Sequence, residues 1–438
     1  MSSILIGVIG IIIILLLLAM GMPIGFAMML VGVVGFAFLV NLTAAFQVIG
    51  VATYGVISNY EWLVLPLFFY LAAVMFVGGL GNSLFKMGYA ILGRLYGGIA
   101  MATVLAIAVF SAISGSAIAS AVTIGSISLP EMKKLDYDDS LATASVAAGS
   151  TIDILIPPST ILIVYGIITE TSIVELFAAG FIPGFILAGM YMLYIFLRVR
   201  QNPNLGPQGP RTSMKEKLVS TAQCIDSLIL IALVLGGMLV GWFAPTEAAG
   251  IGAFGAIVAS IIRGKFGWKA FRDSLYDTVQ NTGMIFATLV GAYVITPFIA
   301  VSRIPMELSS LVASTGLPPY AILTLILLLY MVLGCFIDTM SMILLTVPVF
   351  FPLITGLGFD PIWFGIIVVM VVEIGLVTPP MGLLVWVTAG IAKTVPMEKI
   401  FKGIWPFVAV DIVFVLMLII WPKIVMLGPE ILRSTYSF

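Results

Sequence analysis

Ten long apolar runs dominate the chain: Ile4–Met20, Ile24–Val40, Trp62–Leu80, Ser140–Thr169, Ile173–Leu197, Ala222–Val240, Glu247–Ile262, Thr282–Ala300, Pro361–Ile391 and Gly403–Trp421. A bilayer core takes about 20 apolar residues as one helix, and within lipid the backbone must satisfy its own hydrogen bonds. The runs therefore predict an all-α polytopic membrane protein. Only 9% of the 438 residues are charged and 61% are hydrophobic, whereas a soluble domain is about a quarter charged. A soluble fold of this make-up would expose large apolar patches. The first run has no basic stretch ahead of it and a second run follows at once, so it reads as a span and not as a cleaved signal.

Two further apolar stretches are too long for one span and carry polar clusters near their middles. Ile99–Pro130 is interrupted by Ser111, Ser114, Gly115, Ser116 and Ser120, and Pro319–Pro352 by Gly334, Cys335, Asp338, Thr339 and Ser341. Each predicts a re-entrant hairpin, whose irregular tip is tolerated only in protein or beside a wet cavity. Two of the ten runs are broken as well. Asp153 and Pro157-Pro158 interrupt one; Glu373, Gly375 and Thr378-Pro379-Pro380 interrupt the other. Paired prolines remove backbone donors and disfavour helix before them, so these are discontinuous helices with free carbonyls.

The chain repeats itself at an offset of 222: Pro23 maps to Pro245, Asp138 to Asp360, Ser116 to Asp338, and Pro157-Pro158 to Pro379-Pro380. Each half holds three spans, a hairpin, a broken span and a final span, hence an odd number of crossings. The halves then enter the membrane from opposite sides, and matched broken helices in such inverted repeats point to the transport site. On this topology 16 of the 19 Lys and Arg lie on one side, leaving Arg303, Lys423 and Arg433 on the other. Basic residues favour the cytoplasm, so both termini are expected to face outward. The hydrophilic segment from Arg198 to Lys217 links the halves in the cytoplasm. Gln47–Tyr60, Gly81–Leu95 and Lys265–Val279 read as interfacial amphipathic helices.

The composition also excludes whole classes of function. The chain has no histidine, which rules out His metal sites and Ser-His or Cys-His catalysis, and no nucleotide-binding loop appears; an enzyme is not expected. A net charge of −1 without a basic block argues against nucleic acid. Cys224 and Cys335 lie in or beside apolar runs and suggest no disulfide framework.

The candidate site pairs each tip with the break that follows it. Ser111, Ser114, Gly115 and Ser116 face Asp153–Pro158; Gly334, Asp338 and Thr339 face Gly375–Met381. Hydroxyls and free carbonyls suit a small hard cation, and amides at helix N-termini suit a carboxylate. Together they describe an ion-coupled carrier of an organic anion. Intramembrane Asp153 and Asp338 are costly in lipid and typically functional, although Asp153 is equally placed to cap a half-helix. Serines in apolar helices also bond back to their own chain. Glu247 is placed to cap its helix, and Arg303 either meets an anionic substrate or snorkels.

The runs Phe110–Ser116, Thr123–Ile127, Leu129–Met132, Ile154–Ser159, Phe177–Gly184, Pro245–Ala249 and Gly334–Thr339 resemble, in combination, the large membrane subunit of tripartite ATP-independent periplasmic (TRAP) transporters. The resemblance implies an elevator-type carrier like those of the ion-transporter superfamily. Residues 1–98 and 222–318 would form its scaffold, and 99–169 and 319–392 its transport domain. Residues 170–221 would be a connecting span and linker, and 393–438 a final span and periplasmic tail. It implies sodium as the coupling ion, with no other cofactor. One sodium site would use Ser111, Ser116 and backbone at Asp153, Ile156 and Pro158; the other Gly334, Gly375, Thr378 and Met381. The expected substrate contacts are Ser114, Gly115, Asp338, Thr339 and Arg303. The family usually has glycine where Asp153 stands, as the repeat does at Gly375. The implied partners are a small four-span membrane subunit and a periplasmic substrate-binding protein, and the implied cargo is an organic acid such as a C4-dicarboxylate or sialic acid. A one-component ion-coupled carboxylate carrier is the rival expectation.

Overall fold

The computed structural model describes residues 2–210 and 212–435, and no strand occurs among them. Arg211, one of the basic residues of the linker, lies outside the described residues. The first half runs α1 (Ser3–Ala19), α2 (Ile24–Leu39), α3 (Leu42–Ser58), α4 (Val64–Val77) and α5 (Leu80–Leu92). It continues with a helical hairpin, α6 (Gly98–Ser114) and α7 (Ala117–Lys134), a broken helix, α8 (Asp139–Ser150) and α9 (Thr160–Thr169), and a long α10 (Ile173–Gln201). The second half runs α11 (Met214–Ala222), α12 (Ile225–Leu239), α13 (Pro245–Ile262), α14 (Trp268–Ser302) and α15 (Ile304–Thr315). Its hairpin is α16 (Pro319–Gly334) and α17 (Thr339–Gly356), its broken helix α18 (Pro361–Val377) and α19 (Leu383–Ala392); α20 (Met397–Ile420) and α21 (Lys423–Thr435) complete it.

Six helices are long and apolar enough to cross a membrane, or seven if α11 and α12, bent by 51°, count as one span. One of the six is α17, an arm of the second hairpin, so five of the ten runs are among them; α1 and α2 stop at 17 and 16 residues, about the lower bound for a span, the two broken runs are split into short helices, and Ala222–Val240 lies in the bent pair. The breaks fall where the prolines stand: Leu155–Ser159 and Thr378–Gly382 are non-helical, and both Pro-Pro bonds are cis. Repeat-related positions carry matching caps. Asp138 accepts from the amide of Leu141, and Asp360 from those of Ile362 and Trp363. Ser116 caps α7 and Asp338 caps α17.

One expectation needs correction. Lys265–Val279 does not form a separate interfacial helix; it continues into the following span as the 35-residue α14. The equivalent stretch of the first half is divided into α3 and α4 at Asn59, whose side chain accepts from the amide of Glu61. The residue 222 positions later is also asparagine, Asn281, yet there the helix runs through. Glu247 accepts from the amide of Ala244 at the start of α13, the capping role read from its position.

Packing sorts the helices into two groups. Helices α1–α4 contact α13 and α14, with α12 against α13. Gly25 and Gly32 on one face of α2 make the closest approach, because a Cβ on Gly25 would lie 2.6 Å from the Ala287 carbonyl and one on Gly32 2.8 Å from Ile295 Cα. Small residues that let backbones touch are how helices associate where lipid supplies no hydrophobic drive. The hairpins and broken helices pack on one another across the repeat, α7 against α19 and α9 against α17, with α10 and α20 behind them. The linker is strapped down: Gly209 donates to the Gly93 carbonyl and the Leu205 carbonyl accepts from Asp138, at 2.8 and 3.0 Å.

Candidate functional site

Each hairpin tip meets a helix break. In the first, α6 ends at Ser114 and Gly115 adopts a left-handed conformation (φ 59°) before Ser116 opens α7. Gly115 is pressed against the break, since a Cβ there would lie 2.5 Å from the Pro158 carbonyl. Thr160 donates to the Gly115 carbonyl at 2.9 Å and closes the contact. Asp153, fully buried in the 3-10 turn Thr151–Ile154, accepts from Ser114 and from Ser120, both at 2.8 Å, through one carboxylate oxygen. Its other oxygen has no partner. Asp153 therefore caps no half-helix; Ser159 caps α9. Ser111 donates to the Ile107 carbonyl at 2.8 Å, the back-bonding open to any helical serine, which leaves its lone pairs available. Ile156 and Pro158 are buried at the break.

In the second, Gly334 and Gly375 touch backbone to backbone: a Cβ on Gly375 would lie 2.6 Å from Gly334 Cα. Thr339 donates to the Glu373 carboxylate at 2.7 Å, and the second Glu373 oxygen has no partner although the residue is 1% exposed. Asp338 holds the amide and hydroxyl of Ser341. Thr378 donates its hydroxyl to the Ile374 carbonyl and its amide to that of Gly375. Met381 is 53% exposed at the far end of the break.

A cavity of about 460 Å³ joins the two halves of the site. Ser114, Gly115, Ser116, Asp338, Thr339 and Glu373 line it from the hairpins and α18, and Phe69, Phe76, Asp277 and Asn281 face them from α4 and α14. No Lys or Arg lines it. Arg303 is not brought to it; it sits exposed in a left-handed turn between α14 and α15. A larger cavity of about 880 Å³, walled by α3, α14, α17 and the end of α9, touches neither tip.

The polar residues Ser120, Glu373, Asp411 and, across the cavity on α14, Asp277 and Asn281 are absent from the site predicted above. Ser120 and Glu373 interrupt apolar runs, and that interruption is the signal. Asp411 was legible in the same way, as a lone acid within the run Gly403–Trp421. It is fully buried, accepts from the Tyr191 hydroxyl, and leaves one oxygen without a partner. Tyr191 lies 3.1 Å from the hydroxyl of Thr151, beside the Asp153 turn. Among the described residues no three His, Cys, Asp or Glu side chains converge as a metal cage. Hydroxyls, carbonyls and single unpartnered carboxylate oxygens remain as donors, a hard-oxygen set that fits a monovalent cation better than a transition metal.

Residues 11–424 match the family described as "Tripartite ATP-independent periplasmic transporter, DctM component". The chain is 33% identical over 376 residues to the C4-dicarboxylate TRAP transporter large permease protein DctM of Pseudomonas aeruginosa, covering 85% of this chain and 87% of that one. It is 30% identical to the sialic acid TRAP transporter large permease protein SiaM of Vibrio cholerae (95% and 96% covered). It is 31% identical to the ectoine/5-hydroxyectoine TRAP transporter large permease protein UehC of Ruegeria pomeroyi (94% and 95%). Among solved structures, the Alcanivorax borkumensis YdaH transporter shares the fold with a TM-score of 0.59 at 17% identity, over 87% of this chain and 89% of that one. These relatives are permeases and not enzymes, and a multi-pass chain with this match over nearly its whole length belongs to the family of TRAP transporter large permease subunits.

Proposed function

We propose that this chain is the membrane carrier of a binding-protein-dependent system that imports a carboxylate-bearing organic solute at the expense of a sodium gradient. The observation that carries the proposal is the pair of half-sites, each a hairpin tip in contact with a helix break, related by the internal repeat. Their donors suit sodium. Ser111, Ser116 and backbone at Asp153, Ile156 and Pro158 would hold one ion, and Gly334, Gly375, Thr378 and Met381 the other. Ser114, Gly115, Asp338 and Thr339 are left facing the cavity for the solute. The relatives above are designated for C4-dicarboxylates, sialic acid and ectoine, which bounds the class of cargo.

The hairpins, broken helices, α10 and α20 would move as one body against a scaffold of α1–α4 and α12–α14, an elevator. The division into two packed groups favours this. The distribution of Lys and Arg supports a cytoplasmic linker and periplasmic termini in an inner membrane. A small membrane subunit and a periplasmic binding protein would complete the assembly. The test is uptake of labelled succinate, sialic acid and ectoine into proteoliposomes, with and without an inward sodium gradient, and with and without both partners. Uptake that requires sodium and both partners is the expected result. Uptake by this chain alone would replace the proposal with a one-component carrier.

A further inference from the structure

The charge of the cavity constrains the solute further than the family does. Its titratable lining is acidic throughout: Asp277 on α14, Asp338 at the second tip, and Glu373 behind Thr339. Asp153 lies directly beneath Ser114, one of the lining residues. Glu373 is almost completely buried and keeps one oxygen without a partner. Asp277 makes no side-chain hydrogen bond or ion pair among the described residues, stands exposed on its helix and faces the cavity one turn from Asn281. Among the cavity-lining residues there is no Lys or Arg to meet an anion, and the chain has no histidine.

Charges gathered at membrane depth must be balanced, because an uncompensated charge away from bulk water is costly. A dicarboxylate entering would bring two negative charges toward Asp277 and Asp338, with no Lys or Arg in the lining to meet them. A solute with one carboxylate and one cationic nitrogen adds no net charge, and places a positive group where the acids lie.

We propose that the solute carried is a zwitterion. Its carboxylate meets the hydroxyls and amides of the Ser114–Ser116 tip, and its cationic nitrogen, an ammonium or amidinium group, meets Asp277 and Asp338. Asp277 is then a specificity-determining residue contributed by the scaffold. This inference rests on the carrier function proposed above and selects within it.

The experiment measures sodium-driven uptake by the full assembly in proteoliposomes, with ectoine and glycine betaine as zwitterions and succinate as the dianion. Each is assayed with the unaltered chain and with Asp277→Asn. Zwitterion uptake exceeding succinate uptake is expected. Asp277→Asn should raise the KM for the zwitterions about tenfold, the loss of one charge-assisted contact, with kcat little changed and no gain in the KM for succinate. Because Asp277 is exposed and unbonded, the variant folds normally. Both chains share one binding protein, so the change in the zwitterion-to-succinate ratio reports on the permease itself. A zwitterion KM left unchanged by Asp277→Asn, or succinate uptake by the unaltered chain that equals or exceeds zwitterion uptake, would overturn the zwitterion assignment and leave the carrier function intact. Absence of sodium-driven uptake for every solute would overturn both.

Discussion

Asp153 and Glu373 occupy corresponding places in the two half-sites without being repeat partners. Asp153 maps to Gly375, and Glu373 maps back to Thr151. The pseudo-symmetric scaffold has thus placed a carboxylate at each break by different routes. Asp153 spends one oxygen on the hydroxyls of Ser114 and Ser120 and Glu373 one on that of Thr339, and each keeps the other unpartnered, as a cation ligand would. Replacing Asp153 with Asn keeps an acceptor for Ser114 and Ser120 but removes the charge. The sodium concentration for half-maximal uptake should rise about tenfold; an unchanged sodium curve would remove Asp153 from the ion site. Thr378→Ala should raise it as well, by loosening the carbonyls its hydroxyl and amide now engage. Asp411 answers to a different test. In Asp411→Ala the buried Tyr191 hydroxyl loses its acceptor, which costs about 2 kcal/mol; Asp411→Asn retains one. Thermal unfolding in lipid nanodiscs should separate the two variants, and equal midpoints would show the pair to be energetically idle.

At the scale of elements, the breaks are built by caps, prolines and glycines. Asp138 and Asp360 start the two broken helices in the same way, and Asp360→Ala should cost about 1 kcal/mol of stability, the worth of an N-cap, without changing uptake per folded protein. The Gly334–Gly375 contact is stricter. An added methyl at Gly375 would fall 2.6 Å from Gly334 Cα, and backbone has no room to give. Gly375→Ala should therefore abolish uptake, whereas Gly356→Ala, with nothing within 4 Å of its Cβ, should leave it unchanged. Equal activity of the two variants would refute the close approach. Much of this level was legible beforehand, since proline pairs and polar tips act through local backbone chemistry. The fate of Lys265–Val279 was not. Its amphipathic pattern describes one face of a helix, and no local signal said that the helix would continue past Asn281 when its counterpart stops at Asn59.

Across the whole molecule, the site lies between two groups of helices, and its cavity is walled on one side by the half of α14 nearest Lys269 and Arg272. On the topology proposed above, which puts those residues in the cytoplasm, the cavity would open to the cytoplasm. A single cysteine at Asn281, in a chain carrying Cys224→Ser and Cys335→Ala, should react with a membrane-impermeant maleimide only from the cytoplasmic side. Reaction from the periplasm alone would invert the topology. The helical class, the two breaks, the two hairpins and the internal repeat were all readable in the sequence, because lipid demands long apolar segments with internally satisfied backbones and makes every polar or proline interruption conspicuous. Tertiary packing alone decided that Tyr191 meets Asp411 across 220 residues, that Asp277 and Asn281 complete the cavity, and that Arg303 stays out of it. A lone charge in a sequence announces a cost, but its partner is chosen by whichever distant helix packs against it.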